Sequence, residues 1–124
     1  MWPDRVVTVL LLLAGAVNLL PGWIAFAPGR IPTAYGVSVA GRDSADLTLL
    51  LRHRAVLLGL VGLALLCAAF TPSLRIPAVT AGAVSMTSFL AFAHTAPALN
   101  NATKRVARID LAALTLLAAA APLL

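Results

Sequence analysis

The chain contains no glutamate and a single cysteine, and only 10% of its residues are charged. Without glutamate, transport mechanisms built on a membrane-embedded Glu are excluded. Cys67 stands alone within an apolar run, so an internal disulfide and a Cys-x-x-Cys redox centre are excluded as well. It is read as a small core or lipid-facing residue. The two histidines, His53 and His94, are scattered and have no cysteine nearby, which gives no zinc set. A haem held between them is disfavoured. There is no G-x-x-x-x-G-K-S/T phosphate loop and no G-x-S-x-G nucleophile elbow.

What the chain does have is apolar surface. Of its 124 residues 61% are hydrophobic, and the mean hydropathy is +0.99. Soluble domains carry about 25% charged residues, and a chain this short leaves too much surface exposed to hide such an excess from water. An apolar solvent accounts for it, and lipid supplies one. The net charge of +5 would suggest nucleic acid in a soluble protein. No basic surface interleaved with aromatics accompanies it, so no nucleic-acid partner is expected. Basic residues retained at the cytoplasmic face of membrane helices explain the charge better.

Four apolar segments alternate with short polar connections. They predict an all-α fold: one membrane domain over residues 1–124, a transmembrane four-helix bundle running up-down-up-down. The expected helices cover about 5–26, 45–70, 74–93 and 103–124. Each has 20 or more residues, enough at ~1.5 Å per residue to cross a ~30 Å hydrocarbon core. The segments lack the period-two alternation of β-barrel strands. The N-terminus imitates a signal peptide, with Arg5, a long apolar stretch and Ala25-Phe26-Ala27 as a cleavage-like site. Pro28 directly after that site argues for a retained first helix.

Punctuation supports the same division. Pro28, Gly29 and Pro32 stop the first helix, and Pro21-Gly22 kinks it near its end. Asp43 or Ser44 can cap the second helix, and Thr71-Pro72-Ser73 makes a tight link to the third. Pro97 and Asn100-Asn101 separate the third from the fourth. Trp2 and Trp23 lie near the ends of the first helix, where interfacial anchors belong. The segment from Pro28 to Gly41, with Ile31 and Tyr35 among small residues, reads either as an irregular loop on the headgroups or as a short interfacial turn or lid. Arg5 and Arg75 fall on one side of this arrangement. Arg30, Arg42, Arg52, Arg54, Lys104, Arg105 and Arg108 fall on the other. The positive-inside rule then places the loops at about 27–44 and 94–102 in the cytoplasm and both termini outside.

The sharpest chemical signal is Asp110, about 10 Å into the fourth helix. A lone carboxylate at that depth is costly, so it is expected to be paired, protonated or facing a wet cavity. Arg108 lies about 200° around the helix from it and cannot be the partner. Lys104, Arg105 and Arg108 share one face that reaches towards the headgroups. On the second helix, Arg52 and Arg54 point in nearly opposite directions. Arg52 is expected to snorkel, and Arg54 to meet Asp110 with His53 beside it. Asn18 shares a face with Gly15 and Gly22, glycines that allow close helix approach, and reads as interhelical glue or a ligand contact. Thr80, Thr87 and His94 recur every seven residues on the third helix. Gly59 and Gly62 on the second helix favour tight packing. The expected ligand-binding or structural ion-pair cluster is therefore Asn18, Arg52, His53, Arg54, His94, Arg108 and Asp110, at the cytoplasmic end, with no catalytic or metal residues assigned.

The run Arg52-His53-Arg54-Ala55-Val56-Leu57-Leu58-Gly59-Leu60, with Arg105-Val106-Ala107-Arg108-Ile109-Asp110, resembles a group of small, uncharacterised bacterial four-helix membrane proteins sometimes labelled phosphopantetheine adenylyltransferase. That reaction requires a nucleotide-binding α/β domain with a phosphate-contacting loop, which this chain has no means to form. The layout is also loosely similar to the DoxX-like superfamily, some of whose members associate with quinone-linked redox enzymes. That resemblance implies a membrane-embedded accessory role, and the single Cys67 gives no thiol pair for disulfide exchange.

The sequence thus leads to a non-catalytic or accessory multi-pass protein of the cell membrane. It would bind a lipid-like or quinone-like molecule and have no resident cofactor. Its surroundings would be the lipid bilayer and either a membrane protein partner or further copies of itself. Two other readings remain open: a small membrane enzyme using Asp110 and His53 on a hydrophobic substrate, and an oligomeric transporter subunit.

Overall fold

The computed structural model describes residues 2–35, 37 and 44–124. Helix α1 covers Trp2–Leu19 and continues as a tighter 3-10 helix over Leu20–Phe26. Helix α2 is one short turn, Ile31–Tyr35. The long helices that follow are α3, Ser44–Phe70, α4, Arg75–Thr95, and α5, Asn101–Ala120. The described residues include no strand. Four of the helical spans are long and apolar enough to cross a membrane: Trp2–Trp23, Ala45–Phe70, Pro72–Thr95 and Asn101–Leu123.

Local chemistry explains the boundaries. Pro21 has no amide hydrogen and its ring crowds the carbonyl one turn back, so α1 cannot continue as a regular α-helix past Leu19. Thr71 and Pro72 break the chain between α3 and α4, where Leu74 N donates to Thr71 O at 2.9 Å. Asn100 caps α5, its side-chain oxygen accepting from Thr103 N at 2.7 Å. Asp43 and the side chain of Ser44, expected to cap α3, lie outside the described residues, as does Arg42.

The long helices form a ring in which α1 packs on α3 and α5, while α4 packs on α3 and α5. Each turns a stripe at three- and four-residue spacing inwards. On α1 the stripe is Val7, Leu11, Ala14, Gly15 and Asn18; on α5 it is Asp110, Ala113, Leu117 and Ala120. These join Leu65, Ala68, Ala78 and Met86 in one core. The outer faces are no less apolar. Leu13, Leu57, Leu60, Leu63, Ile76, Val84, Phe92 and Leu111 are all exposed, an apolar surface that water does not tolerate and lipid does. Cys67 also points outwards.

The tightest contact is between α1 and α3. A Cβ added to Gly62 would lie 2.6 Å from Leu19 N and 2.7 Å from Gly15 O, and one added to Gly15 would lie 2.9 Å from Gly62 O. The small residues expected to permit close approach therefore do so against one another. Further along, Gly22 faces Gly59, where an added Cβ on Gly59 would meet only Gly22 Cα, at 3.7 Å. The pairing of Gly15 with Gly62 and Gly22 with Gly59 makes the two helices antiparallel.

The segment after α1 does not simply rest on the surface. Ile31 is fully buried against Ala55, with Val37, Leu51 and Val106 packed around it. An aliphatic side chain next to an apolar crevice between α3 and α5 gains more by filling it than by lying among polar groups.

Because the atoms facing Gly62 are backbone, Gly62→Ala should force α1 and α3 apart and cost about 1–3 kcal/mol. Gly59→Ala should be close to neutral. Unfolding in graded denaturing detergent measures both, and equal sensitivity at the two positions would contradict the packing described.

Candidate functional site

Three polar side chains are buried among the described residues: Asn18 at 2% exposure, Asp110 at 7% and Arg75 at 8%. Away from water each needs a partner inside the protein. Asn18 finds one in its own helix, with Nδ2 donating to Ala14 O at 2.9 Å. Its backbone meanwhile forms part of the wall against Gly62.

Arg75 forms the densest polar network. Its Nη1 donates to Asp4 Oδ1 at 2.8 Å, its Nε to Ala68 O at 3.3 Å and its Nη2 to Ala69 O at 3.1 Å. Nη2 also lies 3.4 Å from Thr8 Oγ1, and that hydroxyl sits 2.8 Å from Asp4 O and 3.1 Å from Ala69 O. One guanidinium thus serves two carbonyls in the last turn of α3, of which Ala68 O also accepts from Thr71 N at 3.3 Å, and ties them to the first turn of α1. The sequence reading used Arg75 only as a loop charge for orientation and assigned Asp4 no role. The overlooked signal was an acid in the first turn of one helix and an arginine at the link that returns to the same end. Asp4–Arg75 is the one ion pair among the described residues.

Asp110 faces the interior of α5, and Arg54 from α3 is near enough for its charge to act there. The guanidinium of Arg54 also lies over Phe89, 4.9 Å from the ring centre. It borders a small crevice of about 220 Å³ with Leu51, Thr103 and Val106. Arg52, about 200° away around the helix, turns to the outer side, as the opposed directions of the two arginines require. There Arg52 and His53, with Thr48, Leu49, Ala45, Val56 and Phe26, line an open groove of about 620 Å³. The groove continues through Phe26 and Val56 into a second stretch of about 440 Å³, lined by Gly22, Trp23, Gly59, Leu60 and Leu63 among others.

The expected cluster is therefore distributed. Arg54 and Asp110 share the interior, and Arg52 and His53 share the outer groove. No contact joins His53 to Asp110 among the described residues. Arg108 is exposed and donates from Nε to Lys104 O at 3.5 Å, within its own helix. His94 is exposed at the end of α4, and Thr80 and Thr87 of the same stripe are exposed with it. No three His, Cys, Asp or Glu side chains come together among the described residues in a way that could hold a metal ion.

No family model, curated protein or solved structure matches this chain.

Since Arg75 serves two carbonyls of α3 as well as Asp4, Arg75→Leu should destabilise the fold by about 1–3 kcal/mol, the cost of losing hydrogen bonds to a charged, largely buried donor. Asp4→Asn should cost less, because those carbonyl bonds persist. Thermal unfolding of the two variants provides the comparison, and a larger loss for Asp4→Asn would contradict the network.

Proposed function

We propose that this chain is a multi-pass protein of the cell membrane that acts as a non-catalytic accessory subunit and holds a lipid-like or quinone-like amphiphile. The observation that carries this reading is the continuous groove along the seam of α1 and α3. It is polar where Arg52, His53 and Thr48 line it and apolar from Val56 to Leu63. An amphiphile matches that gradient, with its head among donors and its tail against aliphatic walls.

In this proposal the four spans run up-down-up-down, with both termini extracytoplasmic and the end bearing Arg52 at the cytoplasmic face. Arg30, Arg52, Arg54, Lys104, Arg105 and Arg108 then lie together on the side that retains positive charge. α3 is long enough to reach beyond the hydrocarbon: its 27 residues rise about 40 Å against a core of about 30 Å. The excess lets its first turns, with Asp46, stand among headgroups. An accessory role also agrees with the resemblance to DoxX-like proteins.

The head position assigned here is Arg52 rather than Arg54. Arg54 is directed to Phe89 and to the interior near Asp110, whereas Arg52 opens onto the groove. Arg52→Leu should therefore lower the amount of co-purified amphiphile several-fold, and Arg54→Leu should leave it nearly unchanged. Mass spectrometry of extracts from the purified protein reads both. Retention unaffected by Arg52→Leu would remove the groove from the proposal.

A further inference from the structure

We infer that the polar end of the groove receives the phosphate of an anionic phospholipid, with one acyl chain lying along α3 over Gly59. This rests on the amphiphile reading above and narrows it from amphiphiles in general to one headgroup chemistry.

Charge favours a phosphate at this position. Arg52 and His53 stand side by side at the groove's polar end with the hydroxyl of Thr48 one turn before Arg52, and no acid among the described residues lines the groove. The acid closest in sequence is Asp46, exposed on the adjoining face of α3. A guanidinium offers five N–H donors in a planar fork that matches phosphate oxygens. Arg52 also makes an interaction within the protein, and the fork has donors enough to serve that and a phosphate together. A quinone head is neutral and gains little from the Arg52 cation, whereas a phosphodiester gains a charge-assisted hydrogen bond.

The length of the groove matches one leaflet. Arg52 and Leu63, the polar end and the far apolar wall, are eleven residues apart on one helix, a rise of about 16 Å. That is close to half of a ~30 Å hydrocarbon core, the depth of one leaflet. A phospholipid with its phosphate at Arg52 therefore ends its chain near Leu63.

The floor of the groove is made of glycine. Gly22 and Gly59 face each other there, and a Cβ on Gly59 would meet nothing closer than Gly22 Cα at 3.7 Å. Both glycines line the stretch of about 440 Å³ and add no side chain to it, whereas at Gly62 an added Cβ would collide with backbone.

The test uses the full chain purified in a mild detergent and exchanged against mixed micelles. The probes are phosphatidylglycerol, phosphatidylcholine and a long-chain quinone at equal mole fraction, and retained lipid is counted by native mass spectrometry. Phosphatidylglycerol should be retained about ten-fold over the quinone, the ratio given by one hydrogen bond to a charged group, and also in preference to phosphatidylcholine, whose phosphate is the same but whose choline cation is repelled by Arg52. Arg52→Gln combined with His53→Gln should bring that ratio to about one. Inorganic phosphate in millimolar excess should not displace the lipid; displacement would overturn the lipid assignment in favour of a simple anion site.

Gly59→Leu fills this stretch of the groove and should abolish retention of every probe. Val56→Trp, which blocks the groove from its exposed wall, repeats the test should Gly59→Leu fail to fold. If blocking leaves retention unchanged for all probes, the amphiphile reading itself falls. If blocking abolishes retention but the wild-type chain holds phosphatidylcholine or quinone equally well, only the anionic-phospholipid inference falls. Loss of a crosslinked dimer on blocking would overturn the lipid as occupant and assign the groove to a second copy of the chain.

Discussion

The close approach of α1 and α3 sets the geometry of everything around it. At Gly15 and Gly62 the two backbones come so near that no side chain fits between them. Contact of this kind gains dispersion energy over many atoms while fixing little side-chain entropy, which suits helices whose surroundings are as apolar as their interior. One turn further along, Pro21 ends the regular α-helix and the chain tightens into a 3-10 segment. Past that point the seam still touches at Gly22 and Gly59, but its outer side opens into the groove. Lock and groove are consecutive parts of one helix pair, separated by a change in backbone pitch.

Polar groups in such a structure have few options. Asn18 bonds within its own helix, and Arg75 gathers the carbonyls of Ala68 and Ala69 together with Asp4 and Thr8. Asp110 is buried with the charge of Arg54 acting on it. In a nonpolar medium an unpartnered backbone group costs several kcal/mol, so a network like that of Arg75 weighs more there than an ion pair on a water-exposed surface, where the gain is typically below about 1 kcal/mol. The two ends of the bundle differ accordingly. At the Arg75 end the polar atoms bind one another and close the fold. At the Arg52 end donors are directed to a groove open on its outer side, and for that reason the functional proposal is placed there.

Much of this was legible before any coordinates. The lengths and hydropathy of the segments, the breaks at Pro21, Thr71-Pro72 and Asn100, and the glycines at 15, 22, 59 and 62 each act through local physics: helix rise, a missing amide proton, a missing Cβ. The opposed directions of Arg52 and Arg54 followed from helical period alone. The Arg75 network was not legible, because its members are about seventy residues apart, and nothing local distinguishes a loop arginine from one buried against the end of a neighbouring helix. Ile31 was hidden for a related reason. A short stretch rich in Gly and Pro has no periodicity, so which of its side chains enters a crevice depends on where α3 and α5 leave one.

The sequence by itself determined that the chain is helical, where its four long spans lie and that their surfaces are apolar enough for a membrane, since propensity, hydropathy and helix period are properties of short contiguous segments. Only the tertiary structure decided which faces meet. It divided the expected polar cluster between an interior pair and an outer groove, because whether Arg52 and Arg54 look inwards or outwards depends on the rotation of α3 about its own axis. That rotation is set by the contact of Gly62 with α1, between residues that are neighbours only after folding.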